Sequence, residues 1–337
     1  MSLSTENIGT PFQIQPMFVE RIWGTPDLHP WYDFASAEKP VGEVWLSGDQ
    51  CRVLTGPLTG KTLAEVFAEH SPEMLGASAP QSVLGASPLL MKVIFAREKL
   101  SVQVHPDDRM AHKYGQPRGK TECWYVLAAE PDAGIALGLK PGVTLETVES
   151  EVAEGTLEQS LELLPVKTGE MVFVDAGTVH AIWPGSVLLE TQQNSDTTYR
   201  LFDYGRPREL HVAKALEAIR LSTSSGKIAP VELPDRTILI DGEYFCVEKI
   251  TVEGSRTGSS MNKPGNEATP GLAYLFAVAG TGQIRPLTSG SFEPITLAAR
   301  GMVAVPASSP AWQIDDHGGP EGLDLIRITP RWPGMAP

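Results

Sequence analysis

A chain of 337 residues that is 42% hydrophobic has material for two ordinary domains or one large one, each with a sizeable core. Its 27 Lys and Arg stand against 41 Asp and Glu, a formal net charge of −14. That balance speaks against general nucleic-acid or anionic-membrane binding, which need a basic face, but a small anionic substrate needs only a local cluster of cations.

The N-terminal stretch MSLSTENIGTPFQIQP has no basic segment followed by an apolar run, so no signal peptide is expected. No run of about 20 apolar residues is available to span a membrane. Cys51, Cys123 and Cys246 are sparse, odd in number and widely spaced, which makes neither a disulfide framework nor a C-x-x-C metal knuckle. A reducing cytoplasm fits these features.

Arg21, in RIWG, is the first candidate cation, and EVWLSG the first strand-like run after it. GPLTGKT (56–62) falls one residue short of a Walker A loop, and so does GQPRGKT (115–121); both read as turns, because a phosphate loop needs the full length to wrap its anion. TLAEVFAEHSPEMLG (62–76) predicts a helix with Thr62 as N-cap and Gly76 at its stop. In PLLMKVIFA, Lys92 is an unexpected cation in an apolar run, either an edge residue or a phosphate binder, with Arg21 the weaker candidate for the same duty. LSVQVHP reads as a strand, and PDDRMAHKYG (106–115) as a helix started by Pro106 and two acids. ECWYVLAA, MVFVDAG, SVLLETQQ and YRLFDYG are further short strands, and ELHVAKALEAIRLS (209–222) is an amphipathic helix. TSSGKIAPVELPD (223–235) reads as a linker, and a second strand-rich region follows, with a mobile surface loop expected at 255–270. With 32 Gly and 28 Pro as punctuation, the fold is mainly β with a few helices, a sandwich or barrel. A faint repeat lays 121–129 on 272–280 and 169–182 on 301–314, setting Ala273 against Glu122 and Trp312 against His180.

Side chains alternate between the faces of a strand, so Gln103 shares a face with His105, and Lys120 with Glu122 and Trp124. A later strand and a sharp turn at Gly177 bring in His180. Gln103, His105, Glu122 and His180 are residue types that bind a borderline or hard divalent metal. Singly, each has a plain alternative: a satisfied core His, a half-buried Gln, an exposed Lys120–Glu122 pair. Together, with the right parity on two strands, they favour a metal site suited to Lewis-acid work on a sugar oxygen.

LSVQVHPDD, GKTECWYVL, GTVHAI and QQNSDTTYRLFDYGR, with RIWG and GEVWLSG before them, resemble the signatures of type I mannose-6-phosphate isomerases (phosphomannose isomerases), in the short bacterial form, of the cupin superfamily. The likeness runs from residue 21 to 216. It implies two cupin-type β-barrel or jelly-roll domains: a catalytic one over 1–222, the linker 223–235, and a degenerate, metal-free copy over 236–337. It implies one zinc per chain, held by Gln103, His105, Glu122 and His180. His180 also closes the general cupin pattern that opens at Gly169, with Asp175 where Pro is common. It further implies Arg200, preceded by Asp196, and Lys120 as catalytic residues, interconverting mannose 6-phosphate and fructose 6-phosphate through an enediol. The alternative for Arg200 is a structural ion pair with Asp196 or Asp203. The partner is then a phosphorylated hexose, with no nucleic acid and no membrane; nothing in the sequence sets the oligomeric state, and a monomer is consistent with it. The rival readings are a metal-dependent cupin dioxygenase and a non-catalytic sugar-binding or regulatory cupin.

Overall fold

Short antiparallel strands ended by glycine and proline turns dominate the computed structural model, which describes residues 8–333 apart from 37, 78, 260–270 and 318–321. The fold is mainly β and cupin-like. Contacts divide the chain into two compact units that interleave along the sequence: 18–45 with 89–228, and 1–17 with 46–88 and 229–337. Segments 1–17 and 46–88 group with the C-terminal residues because Phe12–Gln15 pairs with Met302–Val305 on one side and Arg52–Val53 on the other. The expected linker contains two short strands, Gly226–Ile228 and Val231–Leu233, and the division between the units falls at 228/229.

The unit of 18–45 and 89–228 has two sheets. In the larger, the order is Gly226–Ile228, Met171–Val174, Glu122–Ala129, Ser186–Gln193, Leu89–Ala96, Val41–Trp45, Met17–Thr25. In the smaller it is Tyr199–Phe202, Val102–Val104, His180–Ile182, Gly134–Leu139, Leu161–Pro165. Ile94, Trp124, Val126 and Leu188 of the first pack against Ile135 and Ile182 of the second, which makes the space between the sheets a core. The other face of the smaller sheet buries Val102, Val104, Ala181, Tyr199 and Leu201 under helices, through Met110, Val148 and Ala215.

Three helices stand where the sequence predicts them. Leu63–Leu75 starts on a Thr62–Glu65 capping box; Asp108–Lys113 is capped by Asp107; Val212–Ala218 is shorter than expected, because its ends at His211 and Ile219 turn back onto the body of the unit. A fourth, Leu145–Glu154, is absent from the sequence reading, although Thr144 caps it, Val148 is buried and Gly155 ends it in the left-handed region. Its acidic face masks the apolar stripe. At 255–257 the expected loop is instead a strand, Ser255–Thr257, and 260–270 lies outside the described residues.

The central strands of the second unit repeat the order of those in the first. Its larger sheet runs Val231–Leu233, Arg236–Asp241, Phe245–Val252, Leu323–Pro330, Ala273–Ala279, Met302–Val305, Phe12–Gln15, Arg52–Val53. In the first unit Glu190 pairs with Lys92 and Trp124, and Trp124 with Val172; in the second Arg327 pairs with Glu248 and Leu275, and Leu275 with Val303. Glu43 lies two residues before Trp45, the partner of Lys92; Arg236 lies two before Ile238, the partner of Glu248. The trio Glu43–Lys92–Glu190 thus has a counterpart of opposite sign, Arg236–Glu248–Arg327, in equivalent sheet positions. The register keeps Ala273 against Glu122. Trp312 keeps the place of His180: it shares a strand face with Ile314, which packs in the core between the sheets as Ile182 does, while Gln313 has the opposite parity.

Glu248 is 2% exposed, accepts from Arg327 Nε at 2.7 Å and lies 3.7 Å from Arg236 Nη1. Glu248→Gln takes the shared carboxylate from two buried guanidiniums and leaves Arg236 only Asp235 at 3.4 Å, so the urea midpoint should fall by the equivalent of about 3 kcal/mol or more. An unchanged midpoint would show that the trio contributes no net stability.

Candidate metal centre and cavity

Strand alternation delivers three polar side chains to the space between the sheets of the first unit. His180 lies directly opposite Gln103, and Gln103 opposite Arg200 on the next strand, while their neighbours in sequence bury on the helix side. His105 follows the end of its strand, and Glu122 begins the facing one, opposite Val174 and Gln192.

The four expected ligands meet. Glu122 lies 3.6 Å from His105 Nε2 and 3.4 Å from His180 Nε2, and Gln103 Nε2 lies 3.5 and 3.2 Å from the same two nitrogens. The ligand atoms of His105, Glu122 and His180 all lie within 4.8 Å of one another, and all three residues are about 1% exposed. Each imidazole points its other nitrogen at a main-chain oxygen, His105 Nδ1 at Thr197 and His180 Nδ1 at Thr178, both at 2.9 Å. With the proton held on Nδ1, each Nε2 turns a lone pair inward. Burial, with help from the Lys120 charge, keeps both rings neutral: the His105 pKa falls well below 6.5 and that of His180 falls to about 4. The Gln103 carbonyl accepts from Ser101 Oγ at 3.1 Å; a half-turn of the amide presents that oxygen to the imidazoles instead, and Ser101 can serve either orientation. Two neutral imidazoles, one carboxylate and one amide suit a divalent ion of the zinc class.

A cavity of about 370 Å³ adjoins this cluster, lined by Gln103, Glu122, Trp124 and nearly every charged residue singled out in the sequence. Lys120 Nζ lies 2.9 Å from Glu122 and 3.5 Å from Glu190, and Lys120 is 3% exposed, so the pair is buried and not a surface pair. The turn before it is built as the glycine spacing suggests: the Gly119 amide donates to Asp108 at 2.7 Å, and a Cβ at Gly119 would sit 2.5 Å from the Asp107 carbonyl carbon. That amide is engaged with its own chain.

Lys92 is not an edge residue. It sits on an interior strand, 3% exposed, within 3.3 Å of Glu190 and 3.9 Å of both Glu43 and Asp196; these carboxylates outweigh its burial and raise its pKa. Arg21, on the outermost strand, grips Glu43 through two nitrogens at 3.1 and 2.9 Å. Burial would raise the pKa of Glu43, but Lys92, Arg21 and the Trp45 indole hold it below the usual value. Arg200 makes neither of the ion pairs that a structural role would give it. Asp203 is taken by Arg208 at 2.6 and 2.7 Å, Asp196 lies beside Lys92, and Arg200 Nε is buried without a hydrogen-bond partner. Burial and the nearby Arg208 lower the Arg200 pKa.

Three residues of this cavity escape the sequence reading. Glu190 takes the Trp124 indole at 3.3 Å, and burial raises its pKa. Glu43 and Arg208 complete the set. A signal existed for Glu190: it is a lone acid in the apolar run SVLLETQQ, as Lys92 is a lone base in its own run, and the two lie opposite each other.

The model of the phosphomannose isomerase type I catalytic domain matches residues 12–139. A probable mannose-6-phosphate isomerase of Bacillus subtilis, GmuF, is 34% identical over 307 residues, spanning 84% of this chain and 95% of that relative. The crystal structure of the mannose 6-phosphate isomerase from Bacillus subtilis superposes with a TM-score of 0.80 at 30% identity, covering 95% of this chain and 99% of that one. A mannose 6-phosphate isomerase solved with zinc and yttrium shares the fold at 16% identity and a TM-score of 0.72, over 96% and 100% of the two chains.

His105→Ala opens the cluster by one imidazole. Elemental analysis of the purified variant should show metal occupancy reduced by about tenfold or more relative to the parent at equal zinc supply; full occupancy would remove His105 from the ligand set.

Proposed function

This chain belongs to the type I mannose-6-phosphate isomerases, and on that footing we propose that its cavity interconverts mannose 6-phosphate and fructose 6-phosphate, moving a proton between C1 and C2 through an enediol. The observation that carries this reading is the convergence of Gln103, His105, Glu122 and His180 beside a cavity lined by Lys120 and Arg200. These four would hold one zinc, which supplies Lewis acidity for a substrate oxygen. The related fold solved with zinc supports that choice.

The side chains divide the remaining work. Arg200 offers a guanidinium whose Nε has no partner within the protein, a preorganised cation for the oxygen that gains negative charge in the enediol. Lys120 Nζ can donate a proton to that oxygen and recover it. Glu190 lies between Lys92 and Lys120 with its proton affinity raised by burial, which suits a carboxylate that takes and returns the carbon-bound proton. Asp196 stands at the open side of the cavity, near Lys92. Three carboxylates already surround Lys92, so its charge serves Glu190 first, and we place the substrate phosphate by Arg21 and Arg208.

The dioxygenase reading is weaker, because an amide at 103 replaces the imidazole that redox iron sites usually add. The non-catalytic reading leaves Arg200, whose Nε has no partner within the protein, without a purpose. Turnover of fructose 6-phosphate under anaerobic conditions, lost on chelation and regained with zinc, separates all three: an oxygen requirement supports the first rival, and no turnover the second.

Arg200→Ala and Lys120→Met should each keep the metal while kcat drops by about a hundredfold. Loss of zinc with unchanged rate per bound zinc would make either residue structural support.

The phosphate lies far from the bond that changes, so its binding energy positions the reacting end. Mannose without phosphate should therefore lose kcat/KM well beyond a weaker KM. In deuterated water, fructose 6-phosphate should give labelled mannose 6-phosphate and little glucose 6-phosphate. Equal amounts of both epimers would point to a broader sugar isomerase.

A further inference from the structure

The side chain of Arg200 has no ion pair among the described residues, so its aim depends on what holds its main chain. On one side that is the strand pairing with Gln103. On the other it is a single residue, His211. The Arg200 N–H donates to His211 Nδ1 at 3.2 Å, and the His211 N–H donates to the Arg200 carbonyl at 2.8 Å. The His211 carbonyl in turn accepts from Ala215 N at 2.8 Å and starts the helix Val212–Ala218. His211 stands at the N-cap position of this helix but makes no side-chain bond to it, because its ring is turned to Arg200. The helix is itself anchored, with Ala215 and Ala218 in the cluster that holds Tyr199 and Leu201, the residues flanking Arg200.

We propose that His211 is a positioning residue for the isomerase reaction, whose neutral ring clamps the Arg200 main chain to the start of the helix and so fixes the guanidinium over the cavity. The inference rests on the role given to Arg200 above. It requires an acceptor at Nδ1, hence a neutral imidazole with its proton on Nε2; a protonated ring would place an N–H against the Arg200 N–H. The surroundings favour the neutral ring. Burial lowers the His211 pKa; Arg200 and Lys214 act in the same direction and Glu209 opposes them. Glu209, at 3.8 Å from Nε2, is an exposed loop residue, Lys214 lies on the helix, and Tyr199, whose ring is 6.2 Å away, lies on the strand with Arg200.

The test compares the zinc-loaded parent enzyme with Arg200→Ala, His211→Ala and His211→Asn, measuring zinc content, kcat and KM for fructose 6-phosphate across pH. An asparagine carbonyl can take the place of Nδ1 as acceptor but does not titrate. His211→Ala should keep its zinc and lose kcat by about tenfold to a hundredfold, the effect of a small misplacement of a catalytic group. His211→Asn should recover most of that rate. The parent should lose kcat as pH falls below 6.5 through the lowered pKa of His211, and His211→Asn, with the same metal ligands, should lose less over the same range. Should His211→Ala fail to fold, the Asn variant and its pH profile decide alone. Parental kcat in His211→Ala, no recovery in His211→Asn, or identical acid limbs in parent and Asn variant would each overturn the clamp. Parental kcat in Arg200→Ala would instead overturn the role of Arg200 itself.

Discussion

A carboxylate can stand between two packed sheets only if a cation stands beside it, because an unpaired charge there costs several kcal/mol or more. Glu122 is such a carboxylate, and much of the first unit follows from keeping it. Lys120 lies against it, Glu190 against Lys120, Lys92 against Glu190, Glu43 against Lys92, and Arg21 closes the series at the outer strand. Signs alternate along the whole wall. The series brings cations into a chain that is acidic overall, and it confines them to one cavity, where a doubly charged sugar phosphate can use them.

The second unit meets the same constraint with other residues. Its trio occupies equivalent sheet positions with every sign reversed, two arginines around one glutamate. The residue equivalent to Glu122 is Ala273, and Trp312 stands for His180. A charged trio across three central strands therefore belongs to the architecture, while its polarity is local. With the lysine in the middle, two carboxylates remain to balance Lys120 and Arg21; with the glutamate in the middle, one guanidinium is left over and Arg236 reaches Asp235.

The two faces of the smaller sheet divide the labour in the first unit. One face buries valine, alanine and tyrosine under helices and is rigid by packing. The other presents His180, Gln103 and Arg200 in a row. His180 and His105 are oriented by main-chain carbonyls at Thr178 and Thr197, and the Arg200 main chain by the ring and N–H of His211. In all three cases one partner in the bond is a backbone group, which leaves the inward side-chain atoms free for substrate or metal.

Many of the strands, three of the helices and the four converging side chains were legible in the sequence, because the two-residue period of a strand and the capping residues of a helix are local properties. The parity of Gln103 with His105 and of Lys120 with Glu122 placed them on common faces before any fold was known. Lys92 was visible as an anomaly, but its meaning was not. Whether a lone lysine in an apolar run meets solvent, a phosphate or a carboxylate depends on the strand beside it, and that strand lies 94 residues further on at Ser186–Gln193. The same holds for the free guanidinium of Arg200, the hold of His211 upon it, and the grouping of 1–17 and 46–88 with the C-terminal residues. Each is set by pairings between distant segments. A sequence states which side chains share a face, and only the tertiary structure decides what that face meets, because charge balance and register are properties of neighbouring strands and not of either strand alone.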